Sequence, residues 1–313
     1  MSTPGPAHRR GLAAGIGAYL LWGFLPLYFP LVGAASALEI SAHRVVWSWA
    51  ICMVLLLGFA RFGEFRALLR DRARIVRLAA AAVLLSANWL VFVFAVVTNR
   101  VVEASLGYFI NPLVTVILAM VFLREKVNRP QLVGLGIAAA GIVVLTLETG
   151  GLPWLSLVLA CSFGFYGLMK KKVAPHVSAV AGFAAETTVV LPAALGYLTY
   201  LAVTGAGSFA VEVGPLGTRA DFALLLVFSG VATTAPLLAF AAATRRIPLV
   251  TIGMIQFITP IMQFLTGVVI YREAMSPGRW VGFVCVWAAL LVLSADALRK
   301  ARSRPIPPAQ ASR

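Results

Sequence analysis

The chain alternates between long apolar runs and short polar connections. Ten such runs stand out, at 11–32, 38–59, 76–97, 102–123, 131–148, 153–169, 179–201, 221–242, 249–270 and 279–297. Each approaches the roughly 20 residues an α-helix needs to cross ~30 Å of hydrocarbon. A spanning segment must satisfy its own backbone hydrogen bonds, so each run predicts a helix. The expected fold class is an all-α polytopic membrane protein with ten transmembrane helices.

The polar positions inside these runs repeat. The fourth run holds ASLGYFINPLVTVILAMVFLRE from Ala104 to Glu125, and a shift of 148 positions lands in VTIGMIQFITPIMQFLTGVVIYRE. Pro112 then meets Pro260, Phe109-Ile110 meets Phe257-Ile258, Arg124-Glu125 meets Arg272-Glu273, and Gly134 meets Gly282. A shift of 144 brings Tyr19 and Trp22-Gly23 onto Phe163 and Tyr166-Gly167. This is an internal duplication. It predicts a first five-helix repeat at 1–150, a second at 151–298, and a disordered cytoplasmic tail, basic and then Pro-rich, at 299–313. Five is an odd number of crossings, so the second repeat is expected upside down relative to the first.

Composition agrees with a membrane protein: 61% of the 313 residues are hydrophobic and 12% charged, where soluble domains carry about 25% charge. The formal net charge of +15 could point to nucleic acid, but its distribution does not. With the N-terminus cytoplasmic, 21 of the 26 Lys and Arg fall in inside segments, among them six arginines from Arg61 to Arg77 in a connection expected to anchor on the inner surface. Both termini are thus expected in the cytoplasm, with the chain in the plasma membrane. Arg9-Arg10 and Ala35-Ser36-Ala37 mimic a signal peptide, yet the run between them is too long and contains Pro26 and Pro30. Cys52, Cys161 and Cys285 stand singly, so neither a metal site nor a disulfide framework is expected. No cofactor is expected either.

Candidate site residues follow from polarity at membrane depth. Ser105, Tyr108, Asn111 and Thr115 lie at helical spacing on one face, and Gln256, Thr259, Gln263 and Thr266 hold the corresponding face in the second copy. Such a face either bonds to neighbouring helices or lines a water-filled cavity. At ~1.5 Å per residue the two stripes face each other near the midplane, where Trp22, Trp89, Tyr108 and Tyr166 would form aromatic walls. Asn111, Gln256 and Gln263 would orient a substrate's polar groups, while Asn88 beside Trp89 suits either a substrate site or the packing of helices. Glu39 and His43 share a face of the second helix with Trp47, and Arg44 is rotated away. His43 suits proton coupling; Arg44 either serves function, pairs with Glu39, or snorkels. Glu186 is either a proton relay or a neutral hydrogen-bonded acid. Pro112 and Pro260 free backbone carbonyls and can let their helices flex, and Pro236 permits a bend. Gly11 with Gly15, and Gly278 with Gly282, have the spacing of close helix packing or of a homodimer face.

Several segments together resemble the drug/metabolite transporter superfamily, in its EamA-type members and the RarD family among them. The resemblance rests on Glu39, His43-Arg44 and Trp47-Ser48, on Ala104 to Pro112, on Thr234 to Phe240, and on Gly253 to Pro260. One departure is Phe257, where the family pattern has a tyrosine. The resemblance implies export or exchange of small metabolites or drugs through a central cavity between repeats. The expected partners are a small-molecule substrate and the lipid bilayer. No Walker loop, HExxH or GxSxG occurs, so a secondary transporter is expected rather than an ATP-driven pump or a membrane enzyme. A non-transporting membrane scaffold is the other alternative.

Overall fold

A computed structural model describes residues 6–122, 124, 128–173, 177–208, 218–244, 246–247, 252 and 255–303. Glu125, Lys126, Arg245, Gly253, residues 209–217 of the long connection and residues 304–313 of the tail lie outside the described residues. Those described are all-helical. The elements are α1 (Pro6–Tyr28) with a 3₁₀ turn (Phe29–Val32), α2 (Ala37–Gly58), α3 (Phe62–Arg70), α4 (Arg72–Val97), α5 (Val101–Phe122) and α6 (Arg129–Thr149). There follow α7 (Trp154–Val173), α8 (Ala179–Thr204), α9 (Arg219–Thr244), α10 (Ile258–Leu265) with a π turn (Thr266–Ile270), and α11 (Pro277–Ser303). Eight of the described helices are long and apolar enough to cross a membrane, while Trp154–Met169 and Ile258–Ile270 are shorter apolar helices.

Helix ends obey local chemistry. Ser36 and Ser178 cap α2 and α8, accepting the N–H of Glu39 and Ala181. Both helices close alike: Arg61 N–H reaches Leu56 O at 2.8 Å past Ala60 at φ +52°, and Ala206 N–H reaches Leu201 O at 3.1 Å past Gly205 at φ +67°. Arg124 and Arg272 share a left-handed φ of +52°. The connection after α2, expected as a basic loop, instead folds as α3, because Phe65 and Leu68 bury one face while Arg66 and Arg70 stay exposed. At the C-terminal end α11 runs on through Ser303.

The ninth apolar run is interrupted. Gln256 and Phe257 form a turn, and α10 starts at Ile258 with Pro260 in its first turn. Pro260 has no N–H to give Gln256 O, so a continuous helix would lose that bond, and restarting after Phe257 removes the conflict. Pro112, by contrast, lies inside an unbroken α5.

Packing joins the two halves. α2 packs on α8 and α9, α1 on α9 and α10, α7 on α4 and α5, α4 on α8, α5 on α10, and α6 on α11. Gly230 sets the α2/α9 approach: a Cβ there would lie 2.5 Å from Trp47 Cβ and 2.6 Å from its carbonyl carbon. The glycines of the last helix are used within the chain, since Gly278 abuts Glu148 and Gly282 abuts Leu145 of α6. Gly11 and Gly15 likewise seat α1 against Arg246, Ile247, Ala243 and Ile255.

One end of the bundle is sealed around the N-terminus of α5. Phe29, Val32, Ile40, Val93, Val96, Val101, Leu155 and Phe222 form a buried cluster there. Glu273 accepts the N–H of Val101 at 2.5 Å and of Val102 at 3.0 Å, and Tyr271 donates to Pro26 O at 2.7 Å. Burial raises the Glu273 carboxyl above its ordinary range, against the lowering effect of those two N–H groups.

Candidate functional site

Within the bundle, α1, α2, α4, α5, α7, α9, the segment entering α10 and α10 itself line a cavity of about 600 Å³. Its walls are mostly apolar, with aromatic rings from Tyr19, Trp22, Trp89, Phe92, Tyr108, Phe163 and Phe240. Tyr19, Trp22 and Phe240 meet with ring centroids 5.5–6.0 Å apart. A concave apolar chamber with a few polar groups is the usual form of a small-molecule site.

Of the sequence-predicted site residues, Trp22, Arg44, Asn88, Trp89, Tyr108, Asn111, Pro112, Thr115, Gln256, Thr259, Pro260 and Gln263 line this cavity, and Ser105 and Thr266 do not. Tyr166 falls outside the lining. It sits on the α8 side of α7, where its hydroxyl donates to Glu186 Oε2 at 3.4 Å, and Phe163 and Gly167 face the chamber instead. Glu186, Glu39 and His43 are also off the wall. Glu39 is 3% exposed and accepts the Ser208 N–H at 2.7 Å. His43 Nδ1 accepts from Trp47 Nε1 at 3.3 Å.

The polar wall groups differ in how far the protein satisfies them. Asn88 is fully engaged: Nδ2 donates to Leu159 O and Ser162 Oγ, both at 3.0 Å, and Oδ1 accepts from Tyr108 at 3.2 Å. Thr259 donates to Tyr19 O at 2.7 Å. Gln263 Nε2 reaches Trp22 O at 3.4 Å, and its Oε1 is buried with no hydrogen-bond partner among the described residues. Asn111 Oδ1 and Arg44 Nη1 are buried without a protein partner too.

Arg44 neither snorkels nor pairs with Glu39. It is 3% exposed, donates from Nε to Thr233 Oγ1 at 2.9 Å, and stacks against Trp89 at 4.7 Å and Phe29 at 5.2 Å. Neither the Arg74–Asp71 nor the Arg100–Glu103 ion pair involves it. The described residues contain no group of three metal-ligating side chains.

Sequence reasoning missed Leu85, Phe92, Thr233, Leu237 and Phe240, although the offset that reveals the duplication marks them. Seven pairs of lining residues are 148 apart: Leu85 and Thr233, Trp89 and Leu237, Phe92 and Phe240, Tyr108 and Gln256, Asn111 and Thr259, Pro112 and Pro260, Thr115 and Gln263. Tyr19 and Phe163, 144 apart, add the first helix of each half. Extending the offset from the fourth and ninth runs into the third and eighth would have found them.

Comparison with known proteins adds an independent line. Residues 9–147 match the model of the EamA-like transporter family. The chain is 45% identical to "Protein RarD" of Streptomyces exfoliatus over 294 residues, covering 94% of this chain and 91% of that protein. It is 39% identical to "Protein RarD" of Escherichia coli (strain K12) over 290 residues, covering 93% and 95%. An "Uncharacterized transporter" of Vibrio cholerae is 39% identical, with 93% and 94% covered. A crystal structure superposes with a TM-score of 0.57 over 94% of this chain and 99% of its own, at 19% identity, which bears on fold alone.

Proposed function

The chain belongs to the EamA-like transporter family alongside the RarD proteins, and from that premise we propose that it is a secondary transporter exporting or exchanging small metabolites or drugs across the plasma membrane by alternating access. The observation that carries this reading is the cavity itself, whose walls pair residues of one half with residues 148 positions on in the other. A chamber built by two equivalent halves is what rocking of one half against the other needs in order to present one site to both sides.

The helix contacts support the two-repeat arrangement. Exchanging α1, α2, α4, α5 and α6 for α7, α8, α9, α10 and α11 turns α5/α7 into α10/α1, α4/α7 into α9/α1, and α2/α9 into α8/α4, and maps α2/α8, α5/α10 and α6/α11 onto themselves. Polar details follow the exchange. Asn128 at the start of α6 donates to Asp296 in α11, and Glu148 near the end of α6 lies against the start of α11 beyond Ser276; both 128 and 276, and 148 and 296, are 148 apart. This exchange supports a reading of ten crossings in two inverted five-helix repeats, and the charge distribution supports cytoplasmic termini. In that orientation the end sealed by Glu273, Tyr271 and the Phe29 cluster faces outward.

The test is untargeted mass spectrometry of medium and extract from cells expressing wild type or an Asn111→Ala, Gln256→Ala double variant at matched membrane levels. A compound displaced by wild type and not by the variant supports the cavity as the transport site. Equal displacement by both removes the site assignment, and no difference from empty cells removes the transporter reading.

A further inference from the structure

We infer that the cavity is built for an organic anion: a carboxylate or similar acid carried on an aromatic or aliphatic body, with its acid group held by Arg44. The inference rests on the transporter reading and narrows its substrate class.

Arg44 is the charged residue among the cavity's described lining, which otherwise holds Tyr19 and Tyr108 as titratable groups and amides, hydroxyls and apolar side chains. Glu39, five residues before it in α2, is committed to the Ser208 N–H, and Glu186 of α8 to the Tyr166 hydroxyl. Among the described residues the guanidinium has one hydrogen-bond acceptor, Thr233 Oγ1, two ring faces, Trp89 and Phe29, and the neutral hydroxyls of Tyr28 and Tyr108 in its vicinity, but no carboxylate. Nη1 is buried with no partner in the protein. A buried cation without a counter-anion is costly, and an arginine offers a planar fork suited to a carboxylate or phosphate. A ligand that brings the missing charge therefore gains twice, through the charge-assisted hydrogen bonds and through relief of an uncompensated cation. A cationic ligand meets like charge there, and no acid of the described lining offsets it.

The remaining walls set the rest of the molecule. Trp22, Phe163 and Phe240 offer ring surface, and Gln263 Oε1 is an acceptor with no donor among the described residues. An N–H or O–H on the substrate body would satisfy it.

The experiment compares three molecules of one shape: 3-phenylpropanoate, 3-phenylpropanamide and 3-phenylpropylamine. Binding to purified full-length protein is measured by calorimetry, and counterflow of each labelled compound is measured in proteoliposomes. Wild type is expected to bind the acid at least about tenfold more tightly than the amide, and the amine least. Arg44→Gln should lose that tenfold for the acid while keeping its affinity for the amide. Arg44→Lys, which retains a charge without the fork, should fall between them; if Arg44→Gln does not purify as a monodisperse species, the wild-type ranking and Arg44→Lys decide. Equal affinity for the three compounds, preference for the amine, absence of acid binding, or an Arg44→Gln protein that still prefers the acid would each overturn the inference. Binding of the acid without counterflow refutes the transport reading and leaves the anion site standing. Counterflow of the amide or amine at the expense of the acid does the reverse.

Discussion

Asn88 offers the sharpest separation of wiring from recognition. Its side chain is 2% exposed and makes three hydrogen bonds that tie α4 to α7 and α5. Replacing it with alanine removes all three and leaves the Tyr108 hydroxyl without that partner, whereas Ser162 keeps Val158 O as an acceptor at 2.6 Å. Interhelical hydrogen bonds in membranes are worth about 0.6 kcal/mol on average and about 1.7 at most. Asn88→Ala should therefore cost roughly 2 kcal/mol, with an upper bound of about 5. Tyr108→Phe removes one bond and should cost about 0.6–1.7 kcal/mol. Because the two share that bond, the double variant should be less destabilised than the sum by a similar amount. The assay is reversible unfolding in mixed micelles, by steric trapping or denaturant, for wild type, both single variants and the double. An Asn88→Ala cost below about 0.5 kcal/mol with strict additivity against Tyr108→Phe would falsify the wiring role, since an unengaged wall residue behaves that way. Conversely, a variant that unfolds more easily while its substrate affinity changes little places Asn88 in the scaffold of the cavity, not in its contact with the ligand.

Other expectations test the remaining contacts. Phe163→Ala should weaken transport or binding of a cavity ligand several-fold by removing wall surface, whereas Tyr166→Phe should leave affinity unchanged; the reverse pattern in a counterflow assay would show that the α7 face is misassigned. Gly230→Val should cost several kcal/mol and depress the yield of folded protein, because its Cβ would stand 2.5 Å from Trp47 Cβ with backbone behind it; normal melting of that variant would show that α2 and α9 do not approach as described. Glu273→Gln tests the clamp on α5. An acid whose folded pKa is raised binds its proton more tightly in the folded state, so its contribution to stability falls as pH rises from the ordinary carboxylate range through the raised value. The wild-type melting temperature should decline across that window more steeply than that of Glu273→Gln, and parallel curves would contradict a raised Glu273.

The helices were legible because hydrocarbon leaves a backbone few choices. A run of some twenty apolar residues must form a helix there, which is why the boundaries read from composition differ little from those of α2, α5 and α6. The duplication was equally legible, since it is a property of the residue order. The stripes at Tyr108–Asn111–Thr115 and Gln256–Thr259–Gln263 do converge on one cavity. The broken ninth run was only half legible: Pro260 announces a disturbed helix, but the restart at Ile258 depends on where the first turn is placed.

What sequence alone determined, then, is the long apolar helices, their membrane class and the pairing of positions between halves. Tertiary structure decided which side of each helix meets the chamber. In a helix that is apolar all round, no stripe of its own fixes its rotation, and packing against neighbours does. That is why Phe163 faces the cavity while Tyr166, the apparent match of Trp22, turns to Glu186. It is also why Glu39, His43 and Arg44, crowded within six residues, separate into a loop tie, a tryptophan contact and a buried cation in the wall. Their order in the chain places all three within about a turn and a half of α2; only the helices packed around α2 assign each its partner.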